Sequence, residues 1–129
     1  MIIDQKLLDD LSAQAKANPR LRQSYDLRTT PDDQSQRMLN ALEPGTIMPI
    51  HRHKNTSETM VMVRGKLIER FYDDDGNITE EFVMEPCGQY PMVQIEKGQW
   101  HSLKCLEPNT VIFESKDGSY SPIACDDIK

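Results

Sequence analysis

Between Asp4 and Ala17, the apolar residues Leu7, Leu8, Leu11 and Ala15 recur every three to four positions. That spacing is the period of one helical face and predicts an amphipathic helix with a single buried stripe. Asp4 supplies an N-cap, because its carboxylate can accept from the free N–H groups of the first turn. Asn18-Pro19 ends the helix, since proline disfavours the helical conformation of the residue before it. From Arg20 to Gln36 the chain is polar and broken at Thr29-Thr30-Pro31-Asp32-Asp33, which predicts loop with a short strand near Tyr25 to Arg28. After Arg37 the period changes. Short apolar runs at Met38–Leu42, Thr46–Ile50, Glu58–Val63, Lys66–Tyr72, Ile78–Met84, Tyr90–Ile95, Trp100–Leu106 and Thr110–Ser115 alternate with turn signals. Asp73-Asp74-Asp75-Gly76-Asn77 is the strongest of these signals, because Asp-Gly tolerates the positive φ of a tight hairpin. Strands this short at this spacing predict a sandwich or small barrel. The tail from Lys116, rich in Gly, Ser and Asp, is expected to cross the surface.

Length and composition narrow the class without changing that picture. With 129 residues the chain has the size of one domain and can bury a core without staples. The expected organisation is a helix and extended segment over 1–36 packed on a β-barrel over 37–129. The net charge is −6 and the Lys and Arg residues are scattered, which argues against nucleic acid or anionic membrane as a partner. No apolar run reaches the ~18 residues of a membrane span, and the N-terminus lacks the features of a secretory signal. Cys87, Cys105 and Cys125 form no C-x-x-C pair, so reduced thiols and a cytoplasmic location are expected.

The chemistry concentrates in the three histidines. Gly45, His51, His53, Glu58 and Gly65 form one spaced set, and His101 follows in the block Gly98-Gln99-Trp100-His101. On a strand, His51 and His53 face the same side while Arg52 faces away. Glu58, after the polar turn Lys54–Ser57, can return a carboxylate to the same ion as a ligand, or serve as proton acceptor. His51, His53, His101 and Glu58 together make a nitrogen and oxygen set suited to one divalent transition ion such as Zn, Fe, Mn or Ni. Four protein ligands at most leave an octahedral ion open to water or substrate.

The run from Gly45 to Gly65 resembles the first motif of the cupin superfamily, and Gly98–His101 looks like its second. Glu96 replaces a usual proline there and Cys105 a usual asparagine. A closer resemblance is to the WbuC family of cupin fold metalloproteins. It covers the N-terminal helix, Pro19–Arg22, Gln36–Gly45, His51-Arg52-His53, Asp73–Gly76, Trp100-His101 and Leu106-Glu107-Pro108, with Ile50 where that family tends to place proline. The resemblance implies a mostly β fold, a cupin-type double-stranded β-helix (jelly roll) barrel carrying an N-terminal α-helix. It also implies a bound metal, a small-molecule ligand in the barrel, and a link to bacterial surface-polysaccharide (O-antigen or capsule) biosynthesis.

Other residues invite plainer readings. Cys105 shares parity with His101 and is expected to pack inward, and Trp100 to pack on the opposite face. Met60 and Met62 alternate as core residues do. The Asp73–Asp75 run reads as a solvated turn. Arg37 and Asn40 are expected near the pocket mouth as substrate contacts. Val61 and Val63 make the strand from Glu58 apolar on both faces, which a second sheet or a partner subunit would cover. Cupins commonly pair through a sheet, so a homodimer is expected. Three functions fit: a metalloenzyme on a small sugar or acid (isomerase or epimerase by the resemblance, or dioxygenase, as three-His iron sites are in other cupins), a non-catalytic binding module, and a structural metal site.

Overall fold

A computed structural model describes all 129 residues. The elements run α1 (Gln5–Ala17), β1 (Arg22–Asp26), β2 (Gln36–Leu42), β3 (Glu58–Arg64), β4 (Leu67–Tyr72), β5 (Ile78–Met84), β6 (Met92–Ile95), β7 (Trp100–Cys105), β8 (Thr110–Lys116) and a final 3-10 turn, Cys125–Asp127. Two antiparallel sheets face each other, β1-β2-β8-β3-β6 and β5-β4-β7. This is a jelly-roll barrel with one N-terminal helix, the fold the resemblance implies and one form of the sandwich or barrel that the patterning predicts.

Alternation in β2 and β8 creates two cores. One face of these strands sends Leu42 and Ile112 between the sheets, where they pack with Met60, Met62, Leu67, Met84 and Cys105. The other face sends Leu39, Ala41 and Val111 under α1, against Leu8, Leu11 and Ala15. Asp4 caps the helix, its Oδ1 accepting from the Leu7 N–H at 2.9 Å. Arg64 holds it from below, donating to Asp9 at 2.8 Å and to Ser12 at 3.0 Å.

Two expectations fail. Thr46–Ile50 is not a strand; the chain there is irregular, with Pro49 unable to donate to a ladder. The first strand begins at Arg22, earlier than expected, because it pairs with β2 along its whole length, Arg22 opposite Leu42 through Asp26 opposite Met38. The tail also does more than cross the surface. It returns to the histidine segment, where Ile128 forms a bridge with His51.

Gly65 is fixed by both conformation and space. Its φ is +86°, and a Cβ there would lie 2.6 Å from the Thr110 Cα. Any side chain would push the β3–β4 turn off the start of β8.

Candidate metal centre

His51 does not sit in a continuous strand, yet its backbone is pinned as firmly as one. Its N–H donates to the His101 carbonyl at 3.1 Å, and the His101 N–H donates back at 2.9 Å. The next residues are strapped from outside by the tail. Arg52 N–H donates to the Asp127 carbonyl at 3.0 Å, and the Asp127 carboxylate receives Arg52 Nε at 2.8 Å and Lys54 Nζ at 3.2 Å. His53 is fixed through its carbonyl, which accepts from Gly98 N–H at 2.8 Å. Gly98 has a φ of +81°, the left-handed turn that starts the approach to β7.

These constraints gather His51, His53 and His101 so that one ligand atom from each lies within 4.8 Å of the others. The His51 and His101 rings are closest, 4.3 Å between centroids. Both have their Nδ1 against a carbonyl, His51 at 2.9 Å from Pro49 O and His101 at 2.9 Å from Gln99 O. A carbonyl only accepts, so Nδ1 carries a proton in each, and in the neutral ring the lone pair is left on Nε2. Anchored Nδ1 and free Nε2 are what metal-binding imidazoles require. Burial, the largest influence, lowers both His51 and His53 to about 4, so both are neutral at pH 7.

Glu58 lies beside the group. Its Oε2 lies 3.6 Å from His101 Nε2 and 3.8 Å from His53 Nε2. Those separations are long for hydrogen bonds. Two donors each ~2.1 Å from one ion lie roughly 3–3.5 Å apart, so the pairs need only small adjustment to share one. Burial opposes ionisation of Glu58, but contact with His101 and the charge of Lys116 hold its carboxyl down at about 2. The donor set therefore fits a divalent transition ion: three gathered imidazoles, two of them oriented from behind, beside one carboxylate held ionised.

The centre opens into a cavity of about 440 Å³ between the sheets, a size that suits a small ligand. Asn40 lines it, as expected from the sequence. Arg37 does not. It lies on the helix-side face of β2 and donates to Asp33 at 2.9 Å and to the Leu27 carbonyl at 3.1 Å. Residues three apart on one strand face opposite ways, so Arg37 and Asn40 cannot both point inward. Cys105 packs in the inter-sheet core. Trp100 lies outside the cavity, with Arg52 and Lys129 each 4.4 Å from its ring centre.

Two cavity residues carry no sequence motif. Glu69 on β4 and Glu114 on β8 both line the cavity. Glu69 is 1% exposed, and neither carboxyl oxygen has a hydrogen-bond partner. Burial first, and then the negative charge of Glu58, push both carboxyls up, Glu114 to about 8. One ionised carboxylate thus faces two neutral carboxyls across the same space, and a neutral carboxyl can donate as well as accept.

The fold has relatives among solved structures. KdgF from Halomonas sp. superposes with a TM-score of 0.64 at 16% identity, over 80% of this chain and 84% of that one. The capsular polysaccharide assembling protein CapF from Staphylococcus aureus gives 0.67 at 24% identity, over 81% of this chain but only 28% of its own. The cupin domain of Schizosaccharomyces pombe Cnp3 gives 0.61 at 12% identity, over 76% and 65%. The jelly-roll barrel of this chain is thus similar in fold to these proteins, and its three inward imidazoles make a site suited to a metal ion. No curated protein matches the sequence. Residues 3–84 match the family described as Domain of unknown function (DUF6016), more than half of the chain, and the protein belongs to that family.

Proposed function

We propose that this protein is a metalloenzyme of the cupin class that acts on a small hydroxylated substrate inside the barrel. The observation that carries this reading is the pair of backbone-anchored imidazoles, His51 and His101, opening with His53 and Glu58 onto a cavity that holds one unsatisfied carboxyl, Glu69. His51, His53 and His101 would hold one divalent transition ion, with Glu58 as fourth ligand or proton acceptor. When bound, such an ion polarises a substrate oxygen or activates a small molecule.

The chain's own residues supply the rest. Glu58, held ionised, accepts a proton. Glu69, held neutral, donates a hydrogen bond to a substrate hydroxyl or carbonyl. Asn40 offers both a donor and an acceptor. Leu42, Met60 and Ile112 make the inner wall apolar and limit water around the reacting atoms. Arg37 takes no part.

The finer assignment follows the WbuC-family resemblance. It supports a cytoplasmic protein with a role in surface-polysaccharide biosynthesis, and the similarity to a capsular polysaccharide assembling protein points the same way. No helix is long and apolar enough to cross a membrane. A homodimer through the outer face of β3 and β6 accounts for the exposure of Val63 and Met92.

The test is metal-loaded protein incubated with a panel of sugars and sugar acids in D2O, read by proton NMR and an oxygen electrode. Deuterium wash-in identifies isomerase or epimerase chemistry, and oxygen uptake identifies a dioxygenase. Glu58→Gln should abolish either signal. Saturable binding with neither signal would refute catalysis and leave a binding module.

A further inference from the structure

The chain carries seven arginines. Five are ion-paired: Arg28 with Asp26, Arg37 with Asp33, Arg52 with Asp127, Arg64 with Asp9 and Arg70 with Glu81. The two without an acidic partner, Arg20 and Arg22, lie at the same place, the mouth of the cavity. Arg22 makes only a 3.5 Å contact with the Met48 sulfur. Lys116, also without an ion pair, lines the same mouth from the end of β8.

A second cavity of about 470 Å³ shares six lining residues with the first. Arg20, Arg22 and Lys116 line both, so two guanidiniums without an acidic partner and an ammonium that also acts on Glu58 stand where the two spaces meet. In a chain of net charge −6, with acids available for every other arginine, this grouping is not explained by surface pairing. The backbone is built to keep it. Leu21, between the two arginines, has a φ of 57°, a left-handed conformation that a leucine avoids. It is held there by three hydrogen bonds: Leu21 N–H to Asn18 O at 2.9 Å, and the Leu21 carbonyl accepting from Glu43 N–H at 3.0 Å and Thr46 Oγ1 at 2.7 Å. A strained, over-determined turn between two unpaired guanidiniums is the pattern of a binding site.

We propose that Arg20, Arg22 and Lys116 form an anion subsite that takes the phosphate of a phosphorylated, hydroxyl-bearing small molecule. This rests on the reading of the inner cavity as a ligand site and adds the substrate class. Three positive charges suit a phosphate dianion better than a single carboxylate, and guanidinium groups match its oxygens in pairs. The phosphate stays at the mouth, and the hydroxylated end reaches inward. There Glu69, whose oxygens have no partner in the protein, meets it.

The test is titration of the full-length protein with inorganic phosphate, followed by calorimetry and 31P NMR at low salt. It is run on protein as purified and again after metal removal by chelation. Phosphate should saturate in the millimolar range in both states, and acetate at equal ionic strength should bind more weakly. Arg20→Ala/Arg22→Ala should weaken phosphate about tenfold or more. Arg37→Ala removes one of the ion-paired arginines, on the opposite face of β2, and should change binding less than about twofold. Lys116→Gln supplies an independent loss should the double variant fold poorly. No saturable binding, equal effects of the double variant and Arg37→Ala, acetate as tight as phosphate, or binding lost with the metal would each overturn the proposal. Because the anion is measured without metal as well, a failed metal site and a failed anion subsite give different results.

Discussion

At the scale of single residues, Glu69 is the buried side chain whose polar atoms the protein leaves without partners. A buried carboxyl with no partner for either oxygen costs the fold the hydrogen bonds that water gave it in the unfolded chain. Glu69→Met should therefore raise stability by about 1–3 kcal/mol in urea denaturation while weakening ligand binding. The pH dependence has a definite sign. Because the folded carboxyl titrates well above the unfolded one, the folded state keeps a proton that the unfolded state releases. That contribution is complete below about pH 4.5 and is lost as pH rises toward the folded value. His51 and His53, lowered to about 4, work in the opposite direction, but only between about 4 and 6.5. Above pH 6.5 the metal-free protein should lose stability with rising pH, through Glu114 as well as Glu69, and Glu69→Gln should reduce that fall in thermal melts. An unchanged slope would contradict the account. Legibility at this scale was uneven. The histidines and Glu58 stood out because metal donors are few residue types at a fixed spacing. Glu69 did not, because a charged residue in a strand reads as solvent-facing, although Leu67 and Glu69 share one face by alternation. The same alternation separates Arg37 from Asn40, and applying it would have removed Arg37 from the pocket.

At the scale of elements, the helix and seven of the strands expected from periodicity are present, because alternation and turn residues report local burial. The segment Thr46–Ile50 misled, since an apolar run beside Pro49 satisfies a strand pattern without making a ladder. What holds His51 instead is non-local: β7 on one side and the tail on the other. No local pattern encodes a contact between residue 52 and residue 127. The tail strap predicts a functional effect. Asp127→Ala removes the carboxylate that binds both Arg52 and Lys54 and should loosen the segment carrying two imidazoles. Metal affinity should fall roughly tenfold, as when outer partners of metal ligands are lost, with the far-ultraviolet circular dichroism unchanged. Metal affinity equal to wild type in a competition titration would show the strap to be irrelevant to the site.

At the scale of the whole molecule, α1 covers the outer face of β2 and β8 but not that of β3 and β6, where Val63 is 37% and Met92 53% exposed. The proposed dimer would cover that face. Size-exclusion chromatography with light scattering should give a dimer mass for wild type and a monomer mass for Val63→Lys/Met92→Lys, since a charge at the centre of an apolar interface is not tolerated. A wild-type monomer at tens of micromolar would leave the face unexplained. The central claim concerns the interior, and elemental analysis tests it most directly. Untagged protein and a His51→Ala/His53→Ala variant would be measured side by side by plasma mass spectrometry. About one equivalent of Fe, Mn, Ni or Zn in wild type, lost in the variant, is the predicted result. No metal in wild type even after incubation with each ion, or equal metal in the variant, would contradict the account.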